Sequence, residues 1–476
     1  MSVQIFLHAK LLGIEPFLFG SGARAEVLLG RSRWVTLLTE VLPRALLRQL
    51  SLSPLLLGTV GGGEFLVVLP SEMRDAADEF LQKSADEIGT MSAGDLKLIW
   101  TATENLGDWS LVRRRLTDGM TARRGAPGLP GAPGLPSEQA FAAFDAEPLE
   151  AAQDEFAALE AGMREATAVS WSTAQPGHIK AGSEGDFAWS LQTPPPEGLM
   201  LAIHAADLPA RTRLGVLRGD VDNFGARLRR IDTVDEHIRI SHLYKDFFAG
   251  ELQVLIASLP DLSSRVTVLH SGGDDFAVYG AWDSLIILAR EIQRVFGLLV
   301  QHHLHDLVGP EGKSITMALV VAEPGQPNLA ALYEESSRKL ELAKTGLNDS
   351  FYLFGRSIEW KQLVDAEELQ KQLTRLVDEF DCSPQFLNEL RGFYREGTNA
   401  ATRRRAVRFD RPWRFHRRLQ QVLEPPQLGR RRERDFERLC QEVIAEFIGK
   451  QAGQTRLRPT GRVALEWAQL SLQAAK

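Results

Sequence analysis

The sequence predicts an α+β protein with two βαββαβ units in one chain, followed by a C-terminal α-helical domain. Two observations predict the duplication. Strand-like and helix-like segments occur twice in the same order, and in both copies a glycine-rich turn joins the two middle strands. The chain of 476 residues is long enough for about three domains, each with its own hydrophobic core.

The first unit is assigned to residues 1–115. Its six elements are predicted at residues 3–10, 33–50, 54–60, 64–69, 71–91 and 96–103. The turn of the central hairpin is Gly61-Gly62-Gly63, which is followed by Glu64 rather than by a pair of aspartates. This unit is therefore expected to support a site but not to catalyse.

Residues 116–209 are predicted to form a linker and an acidic helical segment. The sequence Gly-Ala-Pro-Gly-Leu-Pro occurs twice in a row at residues 125–136. Four Gly-x-y triplets are too few for a collagen helix, and they are typical of an extended, polyproline-like linker. Residues 137–168 are rich in acidic residues and alanine, so we expect a helix with one exposed face.

The second unit is assigned to residues 210–357. Its elements are predicted at residues 213–219, 226–258, 265–270, 277–280, 284–305, 314–322, 330–344 and 351–354. From residue 358 to residue 476 the pattern is helical, with a break at Glu424-Pro425-Pro426. This last part is the predicted C-terminal helical domain.

Acidic residues follow two strands of the second unit. One hairpin tip reads Ser271-Gly272-Gly273-Asp274-Asp275, and the first strand ends in Asp220-Val221-Asp222. Adjacent carboxylates on a glycine-rich turn have little structural use, whereas Mg²⁺ prefers oxygen ligands and often bridges carboxylates to nucleotide phosphates. The sequence therefore predicts a two-metal site that performs nucleotidyl transfer.

Composition and charge narrow the class of protein. No apolar stretch approaches the roughly 20 residues of a membrane span, and Cys382 and Cys440 are too few for a disulfide framework or a four-cysteine zinc site. We expect a cytoplasmic protein. The net charge is −7, but residues 391–440 contain fifteen arginines against six acids. This cluster fits phosphate or carboxylate recognition, an acidic partner subunit, or a solvated helix face.

The motifs resemble those of one known family, the large subunit of type III CRISPR-Cas effector complexes (the Csm/Cmr large subunit). The resemblance covers both units, at about residues 1–110 and 210–360, and only loosely the helical tail. In the second unit, the matching segments are 219–225, 271–275 and the end of the unit. In the first unit, they are 12–19, 29–33 and 61–63. By this resemblance the two units are ferredoxin-like palm domains of the nucleotidyl cyclase and polymerase type.

The resemblance implies that the protein makes cyclic oligoadenylate from ATP, with Mg²⁺ or Mn²⁺, when its complex holds target RNA. The implied partners are CRISPR RNA, target RNA, a small helical subunit, and stem and backbone subunits, with no membrane. The size of the cyclic product does not follow from the sequence.

The implied site residues come from both units. They are Asp220, Asp222, Asp274, Asp275, Ser271, Gly272, Gly273, Lys344, Gly62 and Gly63. Asp220 and Asp275 are expected to hold both ions with help from Asp274, and Asp222 is expected to be the weaker ligand. Glycines let the backbone approach the nucleotide. Lys344 is a candidate triphosphate ligand or a plain surface lysine, and the first turn is a candidate acceptor-ATP site.

Two departures from the family pattern are expected to matter. The first unit starts at residue 3, which leaves no room for an HD nuclease domain, and no cysteine-rich zinc ribbon lies between the units. We therefore expect neither DNA cleavage nor zinc, and we expect the histidines at 302, 303 and 305 to be structural. Two alternatives remain open: a diguanylate-cyclase-like enzyme, which shares the turn, and a catalytically silent scaffold of the same complex.

Overall fold

The computed structural model describes most of the chain. The described residues are 3–19, 25–92, 94–124, 169–172, 178–181, 187–190, 212–259, 262, 264–323, 329–346, 348–402, 417, 421, 430–451 and 454–474. The predicted linker at 125–136, the acidic helix at 137–168 and the arginines 403–405 lie outside them. The chain divides into two compact units. The first contains segments up to 207, 223–313 and 327–331, and the second contains 208–222, 314–326 and 332–476. The predicted domain boundaries remain predictions.

The first compact unit contains an antiparallel four-stranded sheet. Its strands are β1 (Gln4–Leu12), β2 (Leu57–Gly61), β3 (Glu64–Pro70) and β4 (Lys97–Glu104), in the order β2-β3-β1-β4. Its helices are α1 (Ile14–Phe19), α2 (Ala25–Gln49), α3 (Arg74–Met91) and α4 (Trp109–Arg124). Residues 54–56, predicted as strand, form a 3-10 turn with Pro54 at its start.

Helix α4 packs its apolar side on this sheet. Trp109, Val112 and Leu116 are buried against Phe6 and Leu66, and the rings of Phe6 and Trp109 are 5.2 Å apart. The apolar residues of α4 recur every three or four positions, which is the spacing of one helix face. The helix runs past residue 115, where the first unit was predicted to end.

Three short strands lie in the segment predicted as linker and acidic helix. They are β5 (Val169–Ser172), β6 (His178–Ala181) and β7 (Phe187–Ser190), and they form an antiparallel sheet in that order. These strands were not predicted. Each has only four residues, which is too short for a periodic signal.

Among its described residues, the rest of the first compact unit contains several helices and a hairpin. They are α5 (Phe224–Arg229), α6 (Val234–Asp246), α7 (Leu252–Ser258), β9 (Val266–Gly272), β10 (Asp275–Ala281) and α8 (Trp282–His303). The single helix predicted at 226–258 is wrong. Thr233 starts a new helix because its side chain accepts a hydrogen bond from the amide of Glu236, and Phe247–Glu251 forms a π-helical turn.

The second compact unit contains a four-stranded run in the order β13-β12-β11-β8. The strands are β8 (Leu214–Val221), β11 (Ile315–Val321), β12 (Ser350–Leu353) and β13 (Arg356–Glu359). Strands β8 and β11 are antiparallel and β11 and β12 parallel. Helix α9 (Leu329–Gly346) packs Leu340 and Ala343 against Ala318 and Tyr352. Strand β13 was not predicted.

The C-terminal part is mainly helical. Its helices are α10 (Trp360–Asp378), α11 (Gln385–Thr402), α12 (Arg430–Phe447) and α13 (Pro459–Ala474). A hairpin of β14 (Ile448–Gln451) and β15 (Gln454–Leu457) interrupts them, so the prediction of helix to the end is wrong there. Among the described residues, no helix is long and apolar enough to cross a membrane.

Candidate functional site

The acidic hairpin is a tight turn. Asp275 pairs with Gly272 in the ladder, so Gly273 and Asp274 form a two-residue loop. Gly273 has φ +66°. In a two-residue hairpin loop whose first residue alone has a positive φ, glycine is favoured at that first position, because a Cβ there would crowd the backbone. The turn thus holds both aspartates at the hairpin end, where both side chains are partly exposed.

His270 is a neighbour of Asp275 that the sequence prediction missed. Its Nε2 lies 3.4 Å from Oδ2 of Asp275, and both side chains are partly buried. The signal was present, since His270 directly precedes Ser271-Gly272 in the sequence. The contact can orient the Asp275 carboxylate.

The hairpin also carries a β-bulge. Ala277 pairs with His270 and Val278 pairs with Val268, so Leu269 is the additional residue of β9. The hydroxyl of Ser32 on α2 donates a hydrogen bond to the Leu269 carbonyl. A bulge bends its strand and leaves backbone groups of the additional residue without partners in the β-ladder. The Ser32 hydroxyl provides a hydrogen-bond donor for one of them.

The two predicted glycine turns lie next to each other in the first compact unit. Gly62 and Gly63 have φ +59° and +77°, the pattern of a type I′ hairpin. A Cβ placed on Gly61 would be 3.7 Å from the Gly273 amide nitrogen, and one on Gly272 would be 4.0 Å from that of Gly62. The two turns therefore face each other backbone to backbone.

Lys245 on α6 lies beside these turns. Its Nζ is 2.6 Å from Oε1 of Glu40 on α2, and Arg44 binds the other oxygen of Glu40 at 2.6 Å. Burial raises the pKa of Glu40, but the charges of Lys245 and Arg44 outweigh it, so the pKa lies below its usual value. The charged group links α2 and α6 next to the turns.

Two arginines fix the short helix α5, which begins two residues after Asp222. Arg113 from α4 donates to the carbonyls of Leu228 and Arg229 at the end of α5. Arg227 is almost fully buried and donates to three carbonyls of the loop at 308–311. Planar guanidinium groups suit such multiple contacts.

Asp220 and Lys344 form an ion pair in the second compact unit. Asp220 lies near the end of β8, and Nζ of Lys344 on α9 contacts its Oδ1. Side-chain exposures are 27% and 21%, so the pair is partly shielded from water. Of the residues predicted for the site, these two are brought into direct contact.

Asp222 is buried in a hydrogen-bond network. Its carboxylate accepts from the hydroxyl of Ser314 at 2.6 Å, that of Thr316 at 2.7 Å and the amide of Asp349 at 2.9 Å. Burial, followed by the charges of Asp222 and Glu359, raises the pKa of Asp349. Three donors occupy most of the acceptor positions of the Asp222 carboxylate, and the role of Asp222 in metal binding stays a prediction.

The structure thus brings the predicted residues together in two groups. One group contains Gly62, Gly63, Ser271, Gly272, Gly273, Asp274 and Asp275, and the other contains Asp220, Asp222 and Lys344. Within the described part of the chain, no three His, Cys, Asp or Glu side chains cluster closely enough to hold a metal. Mg²⁺ does not require such a cluster, because it usually binds one or two carboxylates together with water and substrate phosphates.

Comparison with known proteins shows what the second palm segment of this chain resembles. Residues 213–351, which include Asp220, both aspartates of the hairpin and Lys344, match the family model described as Cas10/Cmr2, second palm domain. Residues 213–351 thus form a palm domain of the Cas10/Cmr2 type, and the chain is similar to the large subunits of type III CRISPR complexes. The resemblance seen in the sequence is thereby confirmed.

Curated proteins similar to this chain are named CRISPR system single-strand-specific deoxyribonuclease Cas10/Csm1 (subtype III-A). The relative from Thermococcus onnurineus is 32% identical over 97 residues, which is 18% of this chain and 12% of the relative. The relative from Mycobacterium tuberculosis is 24% identical over 226 residues, which is 41% of this chain and 26% of the relative. The matches thus span well under half of these relatives. The expected lack of nuclease activity and zinc stays a prediction.

Solved structures confirm the α+β fold with palm domains. A Csm1–Csm4 cassette in complex with cA3 matches with a TM-score of 0.65 at 16% identity, over 98% of this chain and 70% of that chain. A cassette in complex with pppApA matches with a TM-score of 0.65 at 17% identity, over 98% of this chain and 69% of that chain. Identities this low establish the fold alone.

Proposed function

We propose that this chain synthesises cyclic oligoadenylate from ATP by two-metal nucleotidyl transfer within a type III effector complex. The observation that carries the proposal is the meeting of two glycine turns, at Gly61 and Gly273, beside the Asp274-Asp275 pair. Glycine backbones leave room for a nucleotide, and the aspartates supply charge for metal-bound phosphate. Similar Csm1–Csm4 cassettes solved with ATP, AMPPNP, pppApA and cA4 support the choice of adenine nucleotides.

Asp220, Asp274 and Asp275 would hold Mg²⁺ or Mn²⁺, with Asp222 as the weaker ligand. The donor chemistry fits, because all are carboxylates and Asp220 already binds a cation, the ammonium of Lys344. When bound, the metals would lower the pKa of an attacking ribose hydroxyl and neutralise charge on the triphosphate.

The chain's own residues would bind and orient the substrates. His270 would orient Asp275 through its contact with Oδ2, and Ser271, Gly272 and Gly273 would let the backbone approach the donor nucleotide. Gly62 and Gly63 would do the same for the acceptor ATP. Lys344 would bind the triphosphate as a point charge.

The proposed partners follow the family. They are CRISPR RNA, target RNA, a small helical subunit, and stem and backbone subunits. The pairing of Csm1 with Csm4 in the similar solved structures supports a multi-subunit setting. The arginine-rich stretch at 391–440 is the proposed docking segment for the small subunit or the RNA.

The test is radiolabelled ATP with the reconstituted complex and target RNA. The double variant Asp274→Ala/Asp275→Ala is expected to abolish nucleotide polymerisation while leaving assembly intact, because residues at a hairpin end contribute little to the core. Asp306→Ala is the matched control, since this aspartate is highly exposed. Undiminished product from the double variant would overturn the site assignment. Labelled product from GTP instead of ATP would favour a diguanylate-cyclase-like enzyme.

A further inference from the structure

Lys344 lies on one face of α9 together with Tyr333 and Ser337. These residues are separated by four and seven positions, the spacing of neighbours along one helix face. Arg218 and Asp220 are two positions apart on β8, so their side chains leave the strand on the same side. The two faces meet in two contacts, one at Arg218 and one at Asp220.

The Arg218 contact is a buried stacking and hydrogen-bonding arrangement. Only 8% of Arg218 is exposed, its guanidinium carbon lies 4.5 Å from the ring centre of Tyr333, and it donates to the Ser337 hydroxyl. That hydroxyl in turn donates to the Tyr333 carbonyl at 3.0 Å. A planar guanidinium in this position fixes the register of α9 along β8, because a shift of α9 would break both contacts.

The position of Lys344 follows from this register. Its neighbour Ala343 is fully buried in the small core with Leu340, Ala318 and Tyr352, so the backbone at 343–344 cannot move away from the sheet without exposing apolar surface. The ammonium is thereby held against a carboxylate that the proposed function uses for metal. An ammonium and a metal ion at the same carboxylate oxygen repel each other, so each weakens binding of the other.

We infer that Lys344 is a displaceable counter-ion of Asp220, and that Arg218 is the positioning residue that holds it there. The inference rests on the proposed function only in taking Asp220 as a metal ligand. In the metal-free protein the ammonium neutralises Asp220. Entry of a divalent ion breaks the pair and leaves the ammonium available to a polyphosphate, so metal and nucleotide binding favour each other.

The test is a titration of the full chain with Mn²⁺ alone, followed by electron paramagnetic resonance without nucleotide. Lys344→Met is expected to bind Mn²⁺ about fivefold more tightly, since a partly exposed ion pair no longer competes. Lys339→Met is the matched control. It removes the same charge from the same helix, but Lys339 contacts Glu335 and the ring of Tyr352. Its Mn²⁺ affinity should stay within about twofold of the unmodified chain.

Arg218→Met separates positioning from general stability. The variant is expected to raise Mn²⁺ affinity by a smaller factor than Lys344→Met. In the double variant it should add nothing to the effect of Lys344→Met, because the group that it positions is already gone. A merely structural role of Arg218 would give the same change in both backgrounds. Lys344→Gln serves in place of Lys344→Met if that variant fails to fold.

The outcomes distinguish this inference from the proposed function. If Asp220→Asn leaves Mn²⁺ binding unchanged, Asp220 is not a metal ligand, and both ideas fail at this residue. If Asp220→Asn weakens binding but Lys344→Met has no effect, or has no more effect than Lys339→Met, the counter-ion inference alone is overturned. Tighter Mn²⁺ binding in Lys344→Met supports it whether or not the complex makes a cyclic product.

Discussion

Ser32 on α2 donates a hydrogen bond to the carbonyl of Leu269, the bulge residue of the acidic hairpin, although 237 positions separate them. Both residues are nearly buried, with exposures of 5% and 3%. Ser32 belongs to the Gly-Arg-Ser segment that resembles the family's first palm. Through this contact the segment supports the hairpin that carries Asp274 and Asp275.

Ser32→Ala should therefore destabilise the protein and impair the proposed activity. Removing the hydroxyl leaves the buried Leu269 carbonyl without this donor, which is expected to cost about 1–2 kcal/mol of unfolding free energy. Urea unfolding and product formation from labelled ATP measure the two effects. Thr39→Val is the control, because the Thr39 hydroxyl bonds only within α2, to the Val35 carbonyl, among the contacts described. Equal activity of the two variants would contradict a supporting role.

Two glycines of the same hairpin should differ in their tolerance of alanine. Gly273→Ala places a side chain at φ +66° with nothing within 4 Å, so we expect a cost of about 1 kcal/mol from backbone strain alone. Gly280→Ala would put Cβ only 2.5 Å from the Arg265 carbonyl oxygen, and backbone there cannot yield easily. We expect a cost of about 2–3 kcal/mol for it. Thermal unfolding of both variants would show the order, and the reverse order would contradict the turn geometry.

Asp222→Ala should be among the most destabilising changes in β8 and the residue that follows it. It would leave two hydroxyls and the Asp349 amide without their buried acceptor, at a cost of about 3 kcal/mol or more in unfolding free energy. Asp222→Asn keeps the volume and one acceptor oxygen, so its cost should be intermediate. Asp306→Ala, at an exposed position, should cost little. The three midpoints in urea test this order, and a neutral Asp222→Ala would refute the network.

His237 should make stability fall as the pH drops below about 6.5. The pKa of His237 is lowered from 6.5 to about 4, mainly by burial. The positive charges of Arg113 and His8 add to this lowering of the pKa, and the charge of Glu64 opposes it. The unfolded chain therefore takes up this proton first as pH falls, and the folded state loses up to about 3 kcal/mol between pH 6.5 and pH 4. Above pH 6.5 the effect vanishes.

Denaturation curves at several pH values measure the His237 effect. His237→Gln should flatten the dependence of unfolding free energy on pH between 6.5 and 4, whereas His302→Gln, at an exposed position, should leave it unchanged. If the slope persisted in His237→Gln, the buried histidine would not be its source. The carboxyl of Glu64, whose pKa is lowered from 4.5 to about 2, adds its own loss of stability as the pH falls from about 4.5 to 2.

Much of the element order could be predicted because its signals are local. Alternating residues and paired turn glycines fixed the strands around Gly62 and Gly273, and helix periodicity fixed α3 and α8. The predictions of secondary structure were wrong where a local cap or turn interrupts a longer periodic pattern. The 226–258 stretch reads as one helix, but the capping hydroxyl of Thr233 and the π-turn at Phe247–Glu251 divide it. The short strands that the sequence did not predict are β5, β6, β7, β13, β14 and β15, whose four residues each carry little periodicity.

By itself the sequence determined which chemistry-bearing residues this chain has and on which turns they stand. Glycine at positive φ, aspartates after a strand and the family motifs are properties of short segments, which is why they could be read directly. Only the tertiary structure decided which distant groups meet: Ser32 with Leu269, Lys344 with Asp220, and three donors with Asp222. Such pairs depend on how helices pack on sheets, and side-chain packing across long separations leaves no periodic trace in the sequence.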